Sequence, residues 1–87
     1  MAKKQITLTI GTQEFGFEVS TQTYNQYVNE FKVDDKISPS VRFARRTLVD
    51  KKQLDALNEL CDQGVAVDIA GALVEEFRPK LEIEVKK

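Results

Sequence analysis

An 87-residue chain has room for one domain and one core, because independent domains need about 50 residues or more each. Its 13 basic and 14 acidic side chains nearly cancel to a formal charge of -1, which excludes a global field holding the protein on nucleic acid or an anionic membrane. Histidine is absent and Cys61 is the single cysteine, so the commonest general base, the usual zinc ligand sets and an internal disulfide are all removed.

With 41% apolar and 31% charged residues and only 4 Gly and 2 Pro, the chain reads as globular rather than disordered. No apolar run approaches the roughly 20 residues of a membrane span, and the Met-Ala-Lys-Lys start lacks a secretory apolar stretch. A cytoplasmic protein without membrane attachment is expected, a single domain over 1–87 with flexible ends at 1–3 and 86–87. A chain this small buries only about 60–65% of its unfolded surface, so homo-oligomer formation is one way to cover more.

Residues 4–19 alternate, with Ile6, Leu8 and Ile10 followed by Phe15, Phe17 and Val19, the pattern of a β-hairpin with one apolar face. Pairing Ile10 with Phe15, Leu8 with Phe17 and Ile6 with Val19 keeps all six on that face and leaves Thr7, Thr9, Glu14 and Glu18 to water. The connection is expected to be a loop longer than two residues that uses Gly11 at positive φ. Ser20 and Thr21 are both good N-caps, and with Ser20 as the cap Val19 is placed to staple onto Tyr24. Tyr24, Tyr27, Val28 and Phe31 then form a helical stripe, read as core rather than as a binding groove, with the helix ending near Lys32.

Val33 to Lys36 read as a polar connection, and Ser38-Pro39 as the cap and first residue of a second helix. That helix buries Val41, Ala44 and Leu48, with Phe43 off the line and partly exposed. Asp50 caps a third helix, Gln53 completing a capping box and Val49 stapling onto Leu54. Its inner stripe is Leu54, Leu57, Leu60 and Cys61, so Cys61 is packing, and Gln63-Gly64 stops it. Ala66, Ile69, Ala70, Leu73, Val74 and Phe77 give a fourth, most apolar helix up to Pro79, the expected centre of the core. Gly71 inside it is tolerable if another backbone packs closely there. Leu81, Ile83 and Val85 alternate with Glu82 and Glu84 like a strand. Since a lone hairpin is rarely stable, either this third strand or helix packing must support it. The expected class is α+β: an N-terminal hairpin, with a C-terminal third strand as an option, packed against about four short helices.

Catalytic candidates are lacking. Glu75-Glu76 and Asp34-Asp35 are adjacent carboxylates that do not converge on a helix or in a loop. The acids lack calcium-loop spacing, and the glycines at 11, 16, 64 and 71 form no phosphate loop. No enzyme activity, cofactor or metal is therefore expected. The strongest charge feature is a ridge of Arg42, Arg45, Arg46, Lys51 and Lys52. It reads as a solvated face paired with Asp34, Asp35, Asp50 and Asp55, as a contact for an acidic protein, or, least supported for want of interleaved aromatics, as a nucleic-acid site. Phe43 beside Arg42, Arg45 and Arg46 has the aromatic-plus-arginine composition of interface hot spots. Leu81, Ile83 and Val85 are the other protein-interaction candidates, as an amphipathic strand able to cover a partner.

The segments YNQYVNE at 24–30, ISPSVRFARRTLVDKKQLDALNEL at 37–60 and AVDIAGALVEEFRPKLEIEVKK at 66–87 resemble the small tail assembly chaperones of tailed bacteriophages and prophages. With the hairpin, the resemblance spans nearly the whole chain, although it rests on helix caps and buried faces rather than an invariant chemical motif. It implies a protein that binds apolar parts of the tape-measure protein in the host cytoplasm, keeps it soluble and helps recruit tail-tube subunits. It further implies absence from the finished virion, and it supplies no catalytic residues. The alternative from the residues alone is a small nucleic-acid-binding regulator using the basic ridge.

Overall fold

The computed structural model describes residues 2–79 and 83–86. Two antiparallel strands, β1 (Lys3–Ile10) and β2 (Gln13–Ser20), are followed by α1 (Thr21–Glu30), α2 (Ile37–Thr47), α3 (Leu54–Asp62) and α4 (Ala66–Phe77), with a 3-10 turn at Lys51–Gln53 leading into α3. This is the expected α+β arrangement of an N-terminal hairpin and four helices.

The hairpin face is as expected, but its register is not. Ile10 pairs with Gln13, Leu8 with Phe15, Ile6 with Phe17 and Lys4 with Val19, a shift of two residues from the expected pairing. Gly11 adopts φ +65° and Thr12 does not have positive φ, so a glycine at the first central position closes a tight two-residue turn. A two-residue shift leaves every side chain on its original face, which is why alternation alone did not exclude it. β1 begins inside the end expected to be flexible: Lys3 pairs with Ser20, and the Ala2 carbonyl accepts the Thr21 N–H at 3.0 Å.

β2 runs directly into α1 because Ser20 caps it. The Ser20 hydroxyl accepts the Thr23 N–H at 3.1 Å, and Thr23 Oγ1 accepts the Ser20 N–H at 2.9 Å, closing a reciprocal box. The helix ends at Glu30, earlier than expected, with Phe31 as its C-cap. α2 starts at Ile37, so Pro39 occupies the third helical position rather than the first. Its missing N–H is still among the four that no helix can satisfy internally. The N-cap position is Lys36 rather than Ser38 and makes no side-chain capping bond; Asp35, one residue earlier, accepts the Ser38 N–H on Oδ1 at 3.1 Å.

Asp50 does cap, accepting the Lys52 N–H at 3.0 Å, but the box and staple expected around it do not form. Gln53 sends its side-chain amide to the Glu14 carbonyl at 2.8 Å, tying the start of α3 to the hairpin, and Val49 is exposed. At the other end of α3, the Gly64 N–H reaches the Cys61 carbonyl at 3.0 Å and the Val65 N–H reaches that of Leu60 at 3.4 Å. With Gly64 at φ +92°, this is the paired-carbonyl stop expected from Gln63-Gly64. No backbone packs closely against Gly71, which is exposed; a Cβ added there would meet nothing within 4 Å.

One cluster of buried side chains unites Ile6, Phe15, Phe17 and Val19 of the hairpin with Tyr27, Phe43, Ala44, Leu57, Ile69 and Leu73 of the helices. α2 touches all three other helices and β2, so it is as central as α4. Ile83 and Val85 lie outside any strand, so the sheet is two-stranded among the described residues. Support for the hairpin comes from helix packing; Leu81 falls outside the described residues.

Candidate functional site

The basic ridge is tied down by a residue that sequence reasoning did not select. Glu30, at the end of α1, reaches across to α2, with Oε1 at 3.2 Å from Arg42 Nε and Oε2 at 3.6 Å from Arg46 Nη2. Arg45 Nε donates to Asn58 Oδ1 at 2.7 Å, and Lys51 Nζ donates to the Arg45 carbonyl at 2.9 Å. The expected partners do other work: Asp35 and Asp50 cap helical segments. Ion pairs this exposed contribute about 0–1 kcal/mol each, so their effect is to orient the arginines and screen their charge. Lys52 remains exposed at the ridge's end.

Phe43 is a correction. It is 0% exposed and stacks on Tyr27 with ring centroids 4.6 Å apart, so it supports the ridge from within the core and presents no surface to a partner. The inner line of α2 runs through Ser40, Phe43, Ala44 and Thr47. It looks polar at both ends, but the Ser40 hydroxyl donates to the Lys36 carbonyl at 2.7 Å and the Thr47 hydroxyl to that of Phe43 at 2.8 Å. Those local bonds to the helix's own backbone permit burial.

The structure exposes apolar side chains elsewhere. Val28, Phe31, Val33 and Ile37 are all exposed, Val33 completely, and they gather where α1 hands over to α2. Val28 and Phe31 lie one turn apart on the same side of α1. Phe31 leans on Tyr27 with centroids 4.5 Å apart. The connection between the helices is tight: Lys32 and Asp35 exchange backbone hydrogen bonds at 3.4 and 3.3 Å, which places Val33 and Asp34 at its tip. Val28 and Phe31 had been expected in the core. α1 is too short to carry its last turn over it, and the signal that could have found the corner is the Val33 side chain inside an otherwise polar connection.

Of the other sequence candidates, Ile83 and Val85 are 88% and 82% exposed, while Leu81 lies outside the described residues. They stand apart from Arg42, Arg45 and Arg46 in the chain, and nothing brings the two groups into one site. A separate open groove of about 320 Å³ runs between the hairpin tip and α4, lined chiefly by Leu8, Ile10, Val65, Ile69 and Ala72.

Burial raises the Cys61 thiol above its ordinary range, outweighing the nearby Arg45, so it stays protonated near neutral pH. Among the described residues, no three His, Cys, Asp or Glu side chains gather where they could hold a metal ion, and no helix is long and apolar enough to cross a membrane. Exposed apolar groups beside oriented guanidinium groups suit a polypeptide partner.

Comparison with curated proteins and with solved structures gives no match. A family model described as phage tail assembly chaperone matches residues 6–87, nearly the whole length, and on that match the chain belongs to the phage tail assembly chaperone family.

Proposed function

We propose that this tail assembly chaperone holds apolar segments of the tape-measure protein in solution until the tail-tube subunits replace it, acting in the host cytoplasm and leaving before the virion is complete. The observation that carries the reading is the α1–α2 corner, where Val28, Phe31, Val33 and Ile37 are exposed together. Exposed large apolar groups concentrated at one place on a small protein are a recognised mark of a protein-binding surface. Phe31 is backed by Tyr27, which makes it a stiff anchor, and Arg42 and Arg46 are paired with Glu30, its neighbour in the chain. An aromatic with neighbouring arginines is the composition that concentrates binding energy. An amphipathic client helix would lay its apolar stripe on the corner and its acidic flank toward the ridge.

Co-expression with the cognate tape-measure protein tests this. The expected result is a larger soluble fraction of the client and co-purification of the two, both lost in a Phe31→Ser, Val33→Asp variant that keeps its circular dichroism. Unchanged client solubility with the native chain, or full activity of the variant, would refute the assignment.

A further inference from the structure

We propose that the outer edge of β1 accepts the C-terminal segment of a second copy of this chain as an added strand, with Ile83 and Val85 seated over the groove between the hairpin tip and α4.

The argument begins with pairing parity. A two-residue turn makes Ile10 and Gln13 a hydrogen-bonded pair, and alternation along the antiparallel ladder then makes Leu8–Phe15, Ile6–Phe17 and Lys4–Val19 hydrogen-bonded as well. The backbone N–H and C=O groups of Lys3, Gln5, Thr7 and Thr9 therefore point away from β2. The same parity turns the Gly16 carbonyl outward on β2, and there the Val49 N–H meets it at 3.0 Å. Leu48 also bridges Phe17 on that side. The β2 edge is thus covered by the chain following α2, whereas no backbone hydrogen bond engages the β1 edge among the described residues. Such an edge is a template for another strand.

The side chains match as well as the backbone. Leu8 and Ile10 are on the inner face of β1 and continue into the apolar groove with Val65, Ile69 and Ala72. Ile83 and Val85 are two residues apart, so an extended segment turns both to one face, where they extend the row begun by Leu8 and Ile10. Glu84 then falls on the outer face, on the side of Thr7 and Thr9. Both apolar side chains are almost wholly exposed, so their own chain does not use them. Lys4 Nζ donates to the Glu76 carbonyl at 2.7 Å, which sets the end of α4 at the start of β1, while the groove lies at its finish. Association through the exposed tail of another copy covers surface that an 87-residue chain leaves in water.

Sedimentation of the full chain alone, over a wide concentration range, tests the proposal without any client and so independently of the tape-measure reading. Mass is expected to rise with concentration, together with hydrogen-exchange protection of the Thr7 and Thr9 amides. Both effects are lost in an Ile83→Asp, Val85→Asp variant whose urea midpoint, extrapolated to low concentration, matches the parent. They persist in Phe31→Ser, Val33→Asp. Filtered contacts between differently labelled copies should link the Ile83 and Val85 methyls to Leu8 and Ile10. A monomer at every concentration overturns the proposal, as does association that survives the tail variant. Protection of Thr7 and Thr9 that ignores concentration also overturns it, since the tail would then pair with its own chain.

Discussion

Tyr27 and Phe43 lie ring over ring, with centroids 4.6 Å apart and planes 18° from parallel, and this pair joins α1 to α2 inside the core. The Tyr27 hydroxyl lies 3.3 Å from Ser40 Oγ. Because the single Ser40 proton goes to the Lys36 carbonyl at 2.7 Å, Tyr27 is the donor of that bond. Phe31 packs on the same Tyr27 ring in a tilted arrangement, with centroids 4.5 Å apart and planes at 55°, so the exposed corner rests on a column of aromatic rings.

Truncating the inner end of that column should be severe. Phe43→Ala removes a fully buried ring and is expected to cost about 3–5 kcal/mol, much of the roughly 5–10 kcal/mol a small domain has available. Urea unfolding measures it. Phe43→Leu, which fills more of the space, should keep client binding with a smaller loss of stability. Loss of binding in a folded Phe43→Leu variant would reinstate Phe43 as a contact residue.

The two glycines of the C-terminal half should respond with opposite signs to the same substitution. Gly71 is exposed within α4 and an added Cβ meets nothing within 4 Å, so Gly71→Ala is expected to stabilise by about 0.5–1 kcal/mol through helix propensity and unfolded-state entropy. Gly64 also has open space but adopts φ +92°, and Gly64→Ala should destabilise by about 1–2 kcal/mol. Paired thermal melts check both.

Asp35 gives the fold an acid-sensitive joint. Hydrogen bonds from the Ser38 backbone and hydroxyl hold its carboxyl below the ordinary aspartate range, with Arg42 adding to the effect. A folded-state pKa below the unfolded one means that the stabilisation is fully present above the unfolded value and disappears as pH falls through the folded one. The parent should therefore lose stability faster than Asp35→Ala as pH drops below about 4. Urea midpoints of both proteins measured down that range should converge, and parallel curves would show that the cap contributes nothing.

Much of the fold was legible because local chemistry marks where elements begin and end. Ser20 caps α1, Gln63-Gly64 ends α3 and Phe77 is the last residue of α4 before Pro79. The buried line of α2 was read in part: Ala44 and Leu48 are buried as expected, but Ser40 and Thr47 look polar until their hydroxyls are seen bonded to nearby backbone carbonyls. Once those positions count as inner, Phe43 falls between them. The corner was hidden for the converse reason: Val28 and Phe31 have core spacing, but where α1 stops relative to α2 is a tertiary fact. Arg42, Arg45 and Arg46 were legible as a ridge, yet their partner Glu30 lies on another helix at a separation no local pattern reports.

That partner gives a direct test of what the ridge can bind. Glu30 holds Arg42 and Arg46 together, so Glu30→Gln leaves both guanidinium groups uncompensated and takes the formal charge from -1 to 0. Since the pairs are exposed, stability should change by less than about 1 kcal/mol. Retention on heparin or a short DNA duplex should nevertheless rise in the variant and fall steeply with added salt, because only unpaired cations displace condensed counterions. Weak, salt-insensitive retention of the parent alongside that gain would establish that Glu30 screens the ridge against polyanions. Strong, salt-dependent retention of the parent itself would instead favour a nucleic-acid role, because the clamp would then have failed to suppress the attraction it is positioned to oppose.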